Sequence, residues 1–160
     1  MDQSLKQLLW HQFGAAIAML ENAINACPDN LWNVESQFWY RSYHTLFYLD
    51  YYLSTDPKNF TPPAPFTLSE FDSSGKLPDQ VYGKAELISY LQFGKQKCYE
   101  LINGLTTEIA EQRFVNVARD YSMLEIIVYN MRHVQHHVAQ LNLLLNQGGV
   151  QSPGWVSRLE

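Results

Sequence analysis

The amino-acid sequence predicts an all-α protein: a four-helix bundle with a long crossover between helices 2 and 3. Four long stretches carry apolar residues at helical spacing, no stretch reads convincingly as a strand, and a proline-rich segment separates the second stretch from the third. With 160 residues, 46% of them hydrophobic, the chain is large enough to form a core. We therefore expect a single domain over residues 1–160.

The first two helices are predicted over residues 4–26 and 35–53. In the first, apolar residues recur at intervals of three and four, and Pro28 in the following CPDN forbids continuation. The second, ESQFWYRSYHTLFYLDYYL, contains neither glycine nor proline. Its apolar residues cover nearly every face, so we expect much of this helix to be buried.

Residues 54–79 predict a long crossover loop. This segment, STDPKNFTPPAPFTLSEFDSSGKLPD, contains five prolines and no helical period. A connection of this length within a compact domain is usually functional or a crossover, here between helices that run parallel. A short hairpin in this loop is an alternative that its prolines disfavour.

Two further long helices are predicted in the second half of the chain. The third covers residues 84–102 and ends at an Asn-Gly cap pair, and a short helical piece follows around residues 107–113. The fourth covers residues 119–146 and stops at a Gly-Gly pair. Residues 147–160 are expected to form an irregular tail, with Trp155 as a packed anchor.

Charge and composition narrow the classes of partner. The chain has 11 Lys and Arg residues against 16 Asp and Glu, without any basic run, so we expect no nucleic-acid partner. No apolar run approaches the roughly 20 residues of a membrane span, and no signal peptide is recognisable, so we expect no membrane association and a cytoplasmic location. Cys27 and Cys98 form no CxxC pair and are predicted to be buried small hydrophobes.

The stretch NMRHVQHHVAQL, residues 130–141, contains three of the five histidines. At about 100° per residue, His137 lies about 90° from the middle of the apolar stripe of the fourth helix, and His133 about 130° on the same side. His136 lies about 170° away, on the solvent face. Because residues four apart are neighbours on a helix, His133 and His137 can present two imidazoles to one point.

A metal site would need a third ligand, for which His44 and His11 are the candidates. His44 lies in the middle of the aromatic second helix, and His11 lies on the first helix. Two interpretations stay open on these grounds: a metal site, or polar residues along a helix edge. HExxH, paired ExxH, GxSxG, P-loop and dinucleotide motifs do not occur.

These residues resemble the DinB-like (YfiT-like) superfamily of metal-binding four-helix bundles. Many members have a histidine in the second helix and H-x-x-x-H in the fourth, followed closely by Gln, often as HRGQ. The corresponding residues here are His44, His133 and His137. Residues 137–140 read HVAQ where HRGQ is common. One branch of this superfamily is also similar to the passage that leads from CPDNLW to FWYRSYHTLFYLDYYL. Val138 and Ala139 stand where Arg-Gly is common.

The resemblance implies a three-histidine site of His44, His133 and His137 that holds zinc or nickel, and often a homodimer. Some relatives are transferases or isomerases that use small thiols such as mycothiol or bacillithiol. Three imidazoles leave metal positions open, as in catalytic zinc sites. We therefore expect a metal-dependent thiol transferase or hydrolase of unidentified substrate. The alternatives are a non-catalytic bundle that binds a metal or small ligand, and a structural bundle without metal.

Four further residues are predicted around this site. By their spacing, Tyr48 and Asn130 could orient a ligand. Gln140 could donate a hydrogen bond to the histidine one turn before it. Arg41, three residues before the histidine of the second helix, could attract an anionic substrate or pair with a surface acid such as Glu35.

Overall fold

The structure, a computed structural model, describes residues 1–160 and is mostly helical. Two short antiparallel strands are the only β-structure. No helix combines the length and apolar character that crossing a membrane requires. The helices and strands are α1 (Gln3–Ala26), α2 (Asp29–Trp32), α3 (Phe38–Tyr52), α4 (Lys84–Gly104), α5 (Thr107–Glu111), β1 (Arg113–Val115), β2 (Asp120–Ser122) and α6 (Met123–Gln147).

The core lies between the four long helices. Helix α6 packs on α1 and α3, and α4 packs on the same two helices. Most of α3 is buried, including its aromatic residues Phe38, Trp39, Tyr43 and Phe47, which confirms the expectation from its all-round apolar pattern. Cys27 and Cys98 are both free and buried, also as predicted.

Helix α3 begins later than predicted. The residue before it, Gln37, has a left-handed backbone with φ 52° and ψ 49°. A right-handed helix cannot continue through this conformation, so α3 starts at Phe38 instead of at residue 35. The short helix α2, which the sequence analysis did not predict, occupies part of the connection from α1.

The fourth long helix, α6, also begins later than predicted, at Met123 instead of at residue 119. Residues 120–122, expected to be helical, form β2 and pair with β1. The turn between the strands is held by Asn116, whose Oδ1 accepts hydrogen bonds from the backbone N–H groups of Ala118 (2.9 Å) and Arg119 (2.8 Å). Ser122 then caps α6 by accepting from the N–H of Glu125. The hydrogen bonds of Asn116 and Ser122 therefore set the boundary between the strand pair and α6.

The segment between α3 and α4 packs on the aromatic surface of α3 and α4. It contains two 3-10 turns, Pro57–Asn59 and Leu68–Phe71, and no strand, so the hairpin alternative is wrong. Its buried Phe66 stacks on Tyr90 of α4 with ring centroids 4.2 Å apart. Its buried Phe60 packs edge-on against Phe47 (5.4 Å) and Tyr51 (5.2 Å) of α3.

The tail is held by a different residue from the one predicted. Trp155 is 71% exposed, so it is not the packed anchor. Leu159 takes this role: its N–H donates to the carbonyl of His11 (2.9 Å), and its side chain lies against Gly14. A Cβ at Gly14 would lie 2.7 Å from Leu159 Cδ2, so the absence of a side chain there makes room for the tail.

Buried polar groups fix α3 against its neighbours. The Asp50 carboxylate is 1% exposed and accepts from Lys97 Nζ (2.5 Å) and the Tyr90 hydroxyl (3.0 Å), both on α4. On the other side, Asn130 Nδ2 of α6 donates to the carbonyl of Leu49 (2.9 Å). Because buried polar groups need partners, these contacts specify one alignment of the three helices.

We expect Lys97→Met to lower the free energy of unfolding by about 3 kcal/mol, because it leaves the buried Asp50 carboxylate without its cation. The matched control is Lys95→Met on the same helix, where the pair with Glu21 is 3.7 Å apart and both side chains are partly exposed. That change should stay within about 1 kcal/mol in urea unfolding. Equal losses for the two variants would contradict the role given to Asp50.

Candidate metal centre

Three of the predicted residues meet at the contact between α3 and α6. His44 lies in the middle of α3, and His133 and His137 lie one turn apart on α6. One ligand nitrogen from each ring can be chosen so that all three lie within 4.8 Å of one another. The alternative third ligand, His11, does not belong to this cluster. The structure therefore brings together the three histidines that the resemblance implied.

His44 is held by an acid that the sequence analysis missed. Its Nδ1 lies 2.6 Å from Oε2 of Glu70, whose side chain is only 4% exposed. An ionised carboxylate can only accept, so Nδ1 carries a proton in this contact, and Nε2 is the ring nitrogen without a partner in the protein. Metal-binding histidines commonly donate their second nitrogen to a carboxylate in this way, which fixes the ring orientation and the tautomer.

Glu70 comes from the second 3-10 turn of the proline-rich segment. Tyr43 of α3 holds this turn by donating to the Thr67 carbonyl (2.9 Å), and Tyr48 donates to the Glu70 carbonyl (3.3 Å). Phe71 packs against Phe47, with ring centroids 5.1 Å apart. The loop length was the only signal in the sequence for a functional segment, and nothing distinguished Glu70 from the other acids of that loop.

His137 is oriented by Gln140, one turn further along α6. The Nδ1 of His137 lies 2.8 Å from Gln140 Oε1, and Gln140 Nε2 lies 3.1 Å from Nε2 of His136. With its amide nitrogen directed at His136, Gln140 accepts the proton of His137 Nδ1, and His137 Nε2 is free. The sequence predicts Gln140 as a donor to His137, so the prediction is right about the partner and wrong about the direction of the hydrogen bond. His136 is exposed, as predicted.

His133 lies deeper than the helical angle predicted. The angle placed it further from the core than His137, yet its Nδ1 is fully buried. The reason is that Tyr48 and Tyr52 of α3 pack against its ring, with centroids 5.7 and 5.8 Å away. The buried Nδ1 of His133 has no hydrogen-bond partner in the protein, and such a buried polar atom in a native structure requires an explanation.

Burial and mutual repulsion keep two of the imidazoles neutral. Burial, followed by the neighbouring His137 and His44, lowers the pKa of His133 to about 3. Burial also lowers the pKa of His137 to about 4; the hydrogen bond with Gln140 acts in the opposite direction, and the nearby His44 adds to the lowering. A neutral imidazole is the form that binds a metal, so these rings need not lose a proton at neutral pH.

Tyr48 and Asn130 have different positions relative to the site. Tyr48 lies beside it, with its ring centroid 4.8 Å from that of His44, and it supports the turn that carries Glu70. Asn130 is fully buried, and its amide nitrogen is used by the Leu49 carbonyl. Asn130 therefore serves the contact between α3 and α6.

A cavity of about 290 Å³ leads from the surface to two of the three histidines. It reaches His44 and His137, so a small molecule can approach the imidazoles from outside. It is also lined by two residues for which the sequence analysis gave no role, Gln37 and Tyr40. The lining residues are Gln37, Tyr40, Arg41, His44, His137 and Gln140.

The three-imidazole donor set fits a divalent transition metal. Imidazole nitrogen suits zinc, nickel, copper and iron, and two nitrogens on one tetrahedral zinc ion lie about 3.3 Å apart at the usual bond length of about 2.0 Å. The observed separations of up to 4.8 Å exceed this value by no more than about 1.5 Å, so the three rings are close to the spacing that one ion requires. The donors are thus chemically and sterically suited to one ion.

The free energy of unfolding of the chelator-treated protein should fall as the pH drops below about 6.5, where histidines of the unfolded chain take up protons. The folded pKa values of His133 (about 3) and His137 (about 4) lie lower, so the unfolded state binds more protons in this window. Each histidine contributes a slope of up to about 1.4 kcal/mol per pH unit.

Urea unfolding between about pH 7 and pH 5 measures this slope. His133→Gln should give a flatter dependence than the wild type, because it removes a group that takes up a proton in the unfolded state but not in the folded state over this pH range. His136→Gln, which alters the exposed neighbour, is the control and should keep the steeper dependence. Identical slopes for wild type and His133→Gln would contradict the burial argument.

The comparisons with known proteins assign the chain to no family. No protein-family model matches it, and no similar sequence is found among curated proteins. The resemblance to the DinB-like superfamily therefore stays a prediction from the three histidines and their surroundings.

Proposed function

We propose that this protein is a metal-dependent enzyme of the hydrolase or thiol-transferase class. One divalent ion, zinc or nickel, is held by His44, His133 and His137. The single observation that carries the proposal is the convergence of these three imidazoles, from two helices, beside a cavity that opens to solvent. Glu70, Gln140 and the burial of the rings support it, because each prepares the imidazoles for a metal before any ion arrives.

The hydrogen bonds on the second nitrogens of His44 and His137 favour a metal site over the alternative that the histidines are ordinary polar residues along a helix edge. An ordinary surface histidine needs no buried carboxylate on its second nitrogen, whereas His44 has one at 2.6 Å. His137 has a side-chain acceptor on its second nitrogen as well. In both rings Nδ1 is occupied and Nε2 is left free, which is the arrangement that orients metal-binding histidines.

An open coordination position favours catalysis over a structural role. Structural zinc sites are closed by four protein ligands, whereas the cluster here contains three. The ion would act as a Lewis acid at the end of the cavity. The protein contributes orientation, because Glu70 and Gln140 fix two rings. Tyr40 also lines the cavity, and burial, followed by the charge of Glu70, raises the pKa of its hydroxyl to about 12. This hydroxyl therefore stays protonated at neutral pH.

The proposal includes membership of the DinB-like superfamily and a four-helix bundle formed by α1, α3, α4 and α6, with residues 53–83 as the crossover. The contacts of α1 and α3 with both α4 and α6 support this arrangement. A small thiol as co-substrate follows from the same resemblance, and the homodimer likewise stays a prediction.

We expect protein purified without a His-tag to contain about one zinc or nickel ion per chain by elemental analysis. His137→Ala, His133→Ala and His44→Ala should each lose the ion, because two imidazoles rarely retain a metal. His136→Ala is the matched control, since it removes the adjacent but exposed ring, and it should keep the ion. Circular dichroism checks that every variant is folded.

A screen for ester hydrolysis and thiol transfer then tests turnover on the metal-loaded protein. Activity that a chelator abolishes and zinc or nickel restores is the expected result. Saturable ligand binding without turnover would favour the non-catalytic alternative. Folded wild-type protein that neither contains nor takes up metal would overturn the proposed function, and the three histidines would be polar residues at a helix contact.

Glu70→Gln should weaken zinc binding about ten- to a hundredfold, because an amide replaces the carboxylate that orients His44. Competition with a chelating dye measures the affinity. Glu111→Gln, an exposed acid on α5, removes the same charge at a distance and should leave the affinity unchanged. Equal affinities in wild type and Glu70→Gln would show that the Glu70 contact does not support a metal ligand.

A further inference from the structure

The cavity beside His44 and His137 has an arginine and no acidic side chain in its lining. The chain as a whole carries a formal charge of -5, yet the cavity lining contains the guanidinium of Arg41 and neither Asp nor Glu. We propose that this cavity is a binding site for a small oxyanion, a carboxylate or a phosphate, with one end at the imidazoles of His44 and His137 and the other on Arg41. The inference rests on the proposed function and names the substrate class for that site.

Arg41 is positioned but not neutralised. Its Nε donates to the carbonyl of Ser36 (3.2 Å), which directs the side chain while leaving its terminal amino groups available. All six ion pairs of the structure involve other residues, so the pairing with Glu35 considered from the sequence does not form. A planar guanidinium with free N–H groups is suited to binding carboxylate or phosphate through two hydrogen bonds.

The position of Arg41 relative to His44 suits a ligand that bridges the two. Residues three apart are neighbours on the same helical face, with Cβ atoms about 5–6 Å apart. Both side chains line the same cavity, as does His137 from α6. A small oxyanion placed there has the imidazoles at one end and a guanidinium at the other. The cavity of about 290 Å³ admits a small molecule of this kind.

The backbone at the cavity shows a second sign of a binding function. Gln37 is the only non-glycine residue with a positive φ, 52°, and it lines the cavity next to Arg41. Such backbone conformations are unfavourable and are concentrated at functional sites. Its side chain makes no capping hydrogen bond to α3, so its amide is available to a ligand. Tyr40 lines the same cavity.

Isothermal titration of the zinc-loaded protein with inorganic phosphate and, separately, with acetate tests the inference. We expect saturable binding of at least one probe, and Arg41→Gln should weaken it about ten- to a hundredfold through loss of charge-assisted hydrogen bonds. Arg41→Lys keeps the positive charge but cannot form two parallel hydrogen bonds, so its affinity for the anion should lie between those of the wild type and Arg41→Gln. Tighter binding of phosphate identifies a phosphate ligand, and binding of acetate that equals or exceeds it identifies a carboxylate.

Arg132→Gln is the matched control. Arg132 is also an exposed arginine close to the histidines, but it lines a different cavity, with Tyr129, His133 and His136. Its replacement removes the same charge and should leave the affinity unchanged. Equal weakening by Arg132→Gln and Arg41→Gln would overturn the inference, because it would reflect total charge and not a site.

The metal content of the wild type separates the two proposals. Zinc-loaded protein that binds neither phosphate nor acetate, or binds them without dependence on Arg41, overturns the oxyanion site and leaves the metal-dependent function in place. Wild-type protein that takes up no zinc overturns the proposed function, and the oxyanion inference fails with it.

Discussion

The candidate site depends on the hydrogen bond between His44 and the buried carboxylate of Glu70. A buried carboxylate is unfavourable unless it is paired or hydrogen-bonded, so this contact requires the loop and α3 to meet in one arrangement. The aromatic packing of Phe60, Phe66 and Phe71 on α3 and α4 stabilises that arrangement through buried apolar surface. The loop thus acts as a structural support for the site, and the orientation of one candidate ligand follows from its folding.

The alignment of α3 with α6 is the second requirement, because the three histidines come from these two helices. A slip of one helical turn would displace His44 by about 5.4 Å from the pair on α6. The amide of Asn130 on the Leu49 carbonyl opposes such a slip, since it would leave a buried donor without a partner. Asp50, with Lys97 and Tyr90, fixes the other side of α3 against α4 in the same way.

The three rings are not equivalent, and the difference has chemical meaning. His44 and His137 each have an acceptor on Nδ1, whereas His133 has no hydrogen-bond partner and lies among tyrosine rings. Burial and mutual repulsion keep His133 and His137 neutral, while Arg41 adds a positive charge to the lining of the cavity. A site with these properties combines neutral donors on one wall with an anion-binding group on the next.

The sequence by itself determined the features that depend on neighbouring residues. Helical periodicity located the four long helices, and the spacing of four placed His133 and His137 together and His136 outside. Only the tertiary structure decided which acid supports His44, how deep His133 lies, and that residues 120–122 form a strand. The reason is that helical period is a local property of the chain. The environment of a side chain is set by residues far away in sequence, as Glu70 is from His44 and Tyr52 is from His133.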